Sequence, residues 1–143
     1  MKRLPEWRLL HHPADVRIEV TGENPEKLFL NAAKAMTSLL TGPGKSHAPN
    51  IQKNVTIKSD LLDILLADWL REILFYFWAE NFILSHASLR IEDEYSLEAR
   101  LSGYKRLGTD ELVDGLEIKG VTYHGLTLDK KPEGYIARII FDV

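Results

Sequence analysis

The sequence predicts an α+β fold: a mainly antiparallel or mixed β-sheet with two helices packed on one of its faces, in the order β-β-α-β-α-β-β-β-β. Three observations carry this expectation. Two stretches, residues 25–40 and 61–78, place apolar side chains at spacings of three and four, the period of a helix face. The remaining ordered stretches alternate with period two or run apolar over a few residues, as strands do. Most of the strand-like runs follow the second helix and are separated by short turn-forming segments, which favours hairpins over crossovers. A chain of 143 residues fits one domain with a genuine core, and residues 1–143 are read as one.

Residues 7–10 and 17–20 read as strand segments, the second with Val16, Ile18 and Val20 on one face and Arg17 and Glu19 on the other. Between them His11-His12-Pro13-Ala14-Asp15 reads as a loop, because Pro13 removes a backbone donor and biases His12 to extended geometry. Asn24 is a suitable N-cap, Pro25 suits the first helical position, and Glu26 complements the helix dipole. The helix that follows carries Leu28, Phe29, Ala32, Ala33, Met36, Leu39 and Leu40 as a core stripe and ends at Gly42-Pro43-Gly44.

Residues 45–50 form a polar loop in which His47 is expected to be exposed, and residues 51–58 alternate as a strand. Ser59 or Asp60 is placed to cap the helix of residues 61–78. That helix is apolar around much of its circumference and should lie at the centre of the core. Asp63, Asp68, Arg71 and Glu72 interrupt it, which argues against a membrane span. Asp68 with Arg71 and Glu72 with Tyr76 are expected as surface pairs. Residues 87–92 and 97–101 read as a hairpin around Asp93-Glu94-Tyr95, and residues 103–115 as a polar, mobile loop. Residues 116–128 read as two strand pieces with a bulge at Gly120 or Gly125. Asp129-Lys130-Lys131-Pro132-Glu133-Gly134 then turns the chain into a last strand, residues 135–143.

Composition removes several function classes. The hydrophobic fraction of 45% and charged fraction of 27% are those of an ordinary soluble domain. A formal net charge of −3 argues against a general nucleic-acid binder, which would carry a basic stripe. With no cysteine there is no disulfide, thiol nucleophile or cysteine-based metal site; this fits a cytoplasmic protein. Met1-Lys2-Arg3 is followed by Pro5, Glu6 and Arg8, not by the apolar run of a signal peptide. Phosphate-loop, dinucleotide-binding and nucleophile-elbow motifs are missing from the sequence.

What remains is a set of oxygen donors. On the last strand Ile136, Arg138, Ile140 and Asp142 share one face, and Ala137, Ile139, Phe141 and Val143 the other. A carboxylate at Asp142 beside Ile140 and Phe141 is costly unless paired, hydrogen-bonded or bound to a cation, and the plainer alternative is a solvated strand end with a frayed terminus. If the chain ends naturally at Val143, a second acidic group stands beside it, and a divalent cation would relieve the repulsion. Asp15 joins the set if the early and last strands are neighbours. Donors of this hardness suit calcium, magnesium or manganese. Lys119, Tyr123 and His124 crowd into six residues; Lys119 suits a phosphate or carboxylate, and His124 reads first as a satisfied core histidine. His12 and Asp15 are further polar groups, although adjacent histidines on an extended chain point apart, which disfavours a zinc site.

Four stretches, His12-Pro13-Ala14-Asp15, Leu65-Leu66-Ala67-Asp68-Trp69-Leu70-Arg71-Glu72-Ile73-Leu74, Glu117-Ile118-Lys119-Gly120-Val121-Thr122-Tyr123-His124 and Ile140-Phe141-Asp142-Val143, together resemble the archease family in order and spacing. The resemblance implies an α+β fold and an accessory role, not an enzymatic one. The partner it implies is an RtcB-type RNA ligase that joins RNA ends in tRNA splicing or RNA repair through a guanylylated histidine, using GTP and manganese. GTP and RNA would be met only through the ligase, and no membrane is involved. Archease is understood to promote the guanylylation and to restore multiple turnover. By that resemblance Asp15 and Asp142 are the acidic metal ligands, Val143 contributes a backbone oxygen, and Lys119 is the essential lysine. Pro13 stands where the family usually has threonine, Gly120 where it has alanine, and no histidine precedes Glu117 in the loop. Two other classes are open on the residues alone: a metal-dependent hydrolase using the same carboxylates with His124 or His12 as base, and a general protein-binding chaperone module.

Overall fold

The computed structural model describes residues 6–10, 15–42, 47–106 and 115–143. It contains seven strands and two α-helices: β1 (Trp7–Leu10), β2 (Val16–Gly22), α1 (Pro25–Thr41), β3 (Ile51–Lys58), α2 (Leu62–Glu80), β4 (Phe82–Glu92), β5 (Ser96–Lys105), β6 (Gly120–Lys131) and β7 (Gly134–Asp142). The α+β class and the element order are those expected. The strands divide between two sheets, β1-β2-β7-β6 and β3-β5-β4, and every pairing is antiparallel.

Local chemistry accounts for the helix ends. The Asn24 side chain accepts the Lys27 N–H at 2.8 Å, Pro25 opens α1, and Gly42, with φ 72°, closes it by donating to the Ser38 carbonyl. The start of α2 differs from expectation: neither Ser59 nor Asp60 caps it, Leu61 occupies the cap position, and Asp63 accepts the Ile64 N–H at 2.7 Å from inside the first turn. Asn81 in the left-handed conformation (φ 56°) ends α2 with its N–H on the Tyr76 carbonyl, and β4 begins at the next residue.

One core joins both sheets and both helices. Alternation on β2 and β7 turns Ile18, Val20, Ala137, Ile139 and Phe141 inward, while alternation on β5 turns Leu97, Ala99 and Leu101 inward. Helix α1 packs on β2 and β4, and α2 on β6, β4 and β3, so each sheet presents one face to the helices. Trp69 is fully buried, and its indole N–H donates to the Phe29 carbonyl at 2.9 Å, locking the helices together.

Three strand boundaries depart from the sequence reading. Strand β4 starts five residues earlier than alternation suggested, with Phe82 and Ile83 both buried beneath α2. Gly103 lies inside β5, not in a loop; a Cβ there would fall 2.1 Å from the Ile83 carbonyl oxygen, so glycine is needed for strand proximity. Residues 116–119 belong to no strand, and the bulge of β6 falls between Thr122 and Thr127 around Gly125, at φ 74°. Most of the expected loop at residues 103–115, and Pro43-Gly44, lie outside the described residues. Among the described residues no helix is long and apolar enough to cross a membrane.

Candidate functional site

The site is built by the pairing of β2 with β7. Val16 stands opposite Phe141, so Asp15, just before β2, and Asp142, the last residue of β7, lie at the same end of the paired strands. Gly120 stands opposite Asp142 on the other side of β7, and an Asp142 carboxylate oxygen lies 3.4 Å from where a Gly120 Cβ would be. The Lys119 N–H donates to the Asp142 carbonyl at 2.7 Å. The positions Asp15, Asp142, Val143 and Lys119 therefore lie at one end of the four-stranded sheet. Two of them are separated by well over a hundred residues of sequence, and only the antiparallel register joins them.

The charges at this end are unequal in their surroundings. Asp15 is partly shielded and accepts the Arg17 Nε–H at 3.0 Å, from a residue two further along the same strand face. Asp142 and Lys119 are exposed, and Lys119 makes no ion pair among the described residues. Phe141 turns inward and Asp142 projects into water, so the strand end is solvated and the carboxylate escapes the cost of an apolar setting. Ile140 is buried although it shares the outer face, because the β6 bulge folds over it; a Cβ at Gly125 would lie 2.4 Å from its Cδ1.

His124 is exposed in that bulge, its backbone N–H bonded to Thr122 Oγ1 at 3.0 Å. The expectation of a satisfied core histidine is thereby overturned: Val121 turns inward, so alternation sets Thr122 and His124 on the opposite, outer face. Among the described residues no three His, Asp or Glu side chains gather closely enough to hold a metal ion, so His124 does not join Asp15 and Asp142. His12 lies outside the described residues. His47 is exposed as expected, with its ring edge-on to Tyr104 at 4.8 Å.

Several groups around the site left no local trace in the sequence. The Tyr123 hydroxyl donates to Asp68 at 2.5 Å and accepts from Arg71 at 2.6 Å, bridging two residues expected to pair directly. That hydrogen bond to Asp68, with partial burial, raises the Tyr123 pKa above the usual tyrosine value, and the Arg71 guanidinium opposes the rise. Tyr76 is raised as well, by burial first and then by its hydrogen bond to Glu72. The Trp78 indole N–H donates to the Ile118 carbonyl at 2.8 Å, one residue before Lys119. On the outer face, Glu19 is nearly buried between Arg8 and Arg138, at 2.8 and 3.1 Å. Two contacts follow rules readable in sequence: Arg17 with Asp15 at the i, i+2 spacing of an extended chain, and Glu72 with Tyr76 at the i, i+4 spacing of a helix, as expected.

The whole described architecture has relatives. A model of the Archease protein family (MTH1598/TM1083) matches residues 7–143. Archeases from Methanosarcina barkeri and Methanosarcina mazei are 31% and 32% identical, each alignment covering 96% of this chain and 96% of the relative. The archease of Archaeoglobus fulgidus is 30% identical over 96% of this chain and 99% of its own length. The solution structure of Methanobacterium thermoautotrophicum protein 1598 superposes with a TM-score of 0.79 at 25% identity, covering 96% of this chain and 99% of that one. The match extends across both helices and all seven strands, the carboxylate end included, and the chain belongs to the archease family.

Proposed function

We propose that this protein is the activator of an RtcB-type RNA ligase in tRNA splicing or RNA repair, promoting guanylylation of the ligase and its multiple turnover. Family membership supports the reading. The single observation that supports it most is the register of β2 on β7, which leaves Asp15, just before β2, at the same sheet end as Asp142, while the Lys119 N–H donates to the Asp142 carbonyl. In this reading Asp15, Asp142 and a main-chain oxygen of Val143 hold a divalent cation at an exposed end that can enter a partner's active site. The cation supplies charge neutralisation at a nucleotide phosphate. Lys119 adds a compact positive charge on a flexible stem beside the carboxylates. Placement of charge is what phosphoryl-type transfer chiefly requires, so the accessory chain itself breaks and makes no covalent bond.

A stand-alone hydrolase using these carboxylates would need a base beside them, and His124 stands in the bulge, outside that cluster. The test is ligase guanylylation and turnover measured with wild-type protein, Asp142→Ala and Lys119→Ala. The expected result is loss of stimulation in both variants with the fold retained by circular dichroism. Full stimulation by Asp142→Ala contradicts the reading.

A further inference from the structure

We propose that Trp78 is a positioning residue for Lys119: it fixes the peptide plane from which the lysine projects. The proposal rests on the functional reading above and extends it to a residue on a different element.

Residues 116–119 lead into β6 without belonging to a strand. They are fixed from three directions. The Leu116 N–H donates to the Leu39 carbonyl of α1 at 2.8 Å. The Ile118 side chain is fully buried. The peptide unit between Ile118 and Lys119 is held at both of its ends, its carbonyl by the Trp78 indole N–H at 2.8 Å and its N–H by the Asp142 carbonyl at 2.7 Å. A carbonyl on a buried residue with no strand neighbour needs a donor, and α2 supplies one from its last turns. The indole is steadied in turn by edge-to-face contact with Phe77, ring centroids 4.9 Å apart.

The geometry explains why a tryptophan left 39% exposed stands on a helix face beside the site. Burying its ring is not its main task; its single N–H is aimed at one carbonyl. With that bond broken, the plane is held from the Asp142 side alone, and both the lysine stem and the end of β7 gain freedom together. Trp78 is placed to act through Lys119, not on the nucleotide.

The test uses full-length protein and the ligase guanylylation assay with Trp78→Phe, which keeps an aromatic ring and removes the donor. Maximal stimulation is expected to fall about tenfold, as misplacement of a reacting group does. Unchanged stimulation by Trp78→Phe overturns the proposal. Should Trp78→Phe fail to fold, benzothienylalanine at position 78 replaces only the N–H with sulfur and gives the same readout. Amide hydrogen exchange of the isolated protein separates this claim from the functional reading. Loss of protection at the Lys119 amide in the variant, with Val20 unchanged, supports the positioning role even if the wild type stimulates no ligase. Unchanged protection at Lys119 overturns it.

Discussion

The outer faces of the two sheets solve the same problem differently. On the three-stranded sheet the charges are ordinary surface pairs: Arg90 bonds Glu98 at 2.6 Å and Glu92 at 3.0 Å, with every side chain more than half exposed. Water screens such pairs, and they contribute little. On the four-stranded sheet Glu19 is 9% exposed and clamped by arginines from the strands on either side. One end of the sheet then breaks the pattern, because the β2–β7 pairing leaves Asp15 and Asp142 at the same end. Like charges directly opposite across strands destabilise a sheet. The contrast teaches that the first face is built for solubility. The second combines a clamp that fixes the β1-β2-β7 register with an acidic end that the register makes possible.

Substitutions can break this contrast, beginning with the largest effect. Glu19→Ala removes the acceptor shared by two guanidiniums and should lower the unfolding free energy by about 1–3 kcal/mol in urea titrations. Gly125→Ala forces a side chain into the left-handed region against Ile140 and should cost roughly 1–2 kcal/mol by the same measurement. Asp142→Asn should do the reverse. Relief of the repulsion with Asp15 is expected to raise stability by about 0.2–1 kcal/mol while ligase stimulation is lost. A variant both more stable and inactive is the signature of a functional charge; a less stable Asp142→Asn protein would mean that the carboxylate is structural.

Alkaline pH sharpens the same comparison through the α2–β6 contact. The Tyr123 and Tyr76 pKa values are raised in the folded state, so the folded protein holds these protons more tightly than the unfolded chain. Their contribution is fully present below the ordinary tyrosine pKa and is lost as pH rises through the folded values. Stability should therefore fall in that alkaline window, and Tyr123→Phe should shrink the fall. Tyrosinate absorbance followed alongside urea midpoints checks the sign. The smallest effect is expected at Glu98→Ala on the three-stranded face, where the urea midpoint should not move measurably.

The parts of the fold legible in the sequence are those set by neighbours in the chain. The Asn24 cap, the Gly42 stop and the hairpin around residues 93–95 all depend on contacts a few residues apart. The same holds for the inward and outward alternation of β7. What sequence could not give depends on register and reach. Tyr123 sits between Asp68 and Arg71 because α2 lies over β6, and no local spacing encodes that. His124 was misjudged because alternation says which residues share a face but not which face turns inward, and Val121 takes the inward side. Trp78 looked like one more apolar residue of a core helix, whereas its role resides in a single N–H.

If the proposed function holds, the acidic end of the four-stranded sheet, and no other carboxylate-bearing face, takes the divalent cation. Titrating isotope-labelled protein with manganese and following paramagnetic broadening of its amide resonances tests this most directly. The account predicts that Val16, Lys119, Gly120 and Asp142 broaden first and that Asp142→Asn abolishes the effect. Broadening that begins at Glu92 and Glu98 on the three-stranded face, or that survives unchanged in Asp142→Asn, would contradict it.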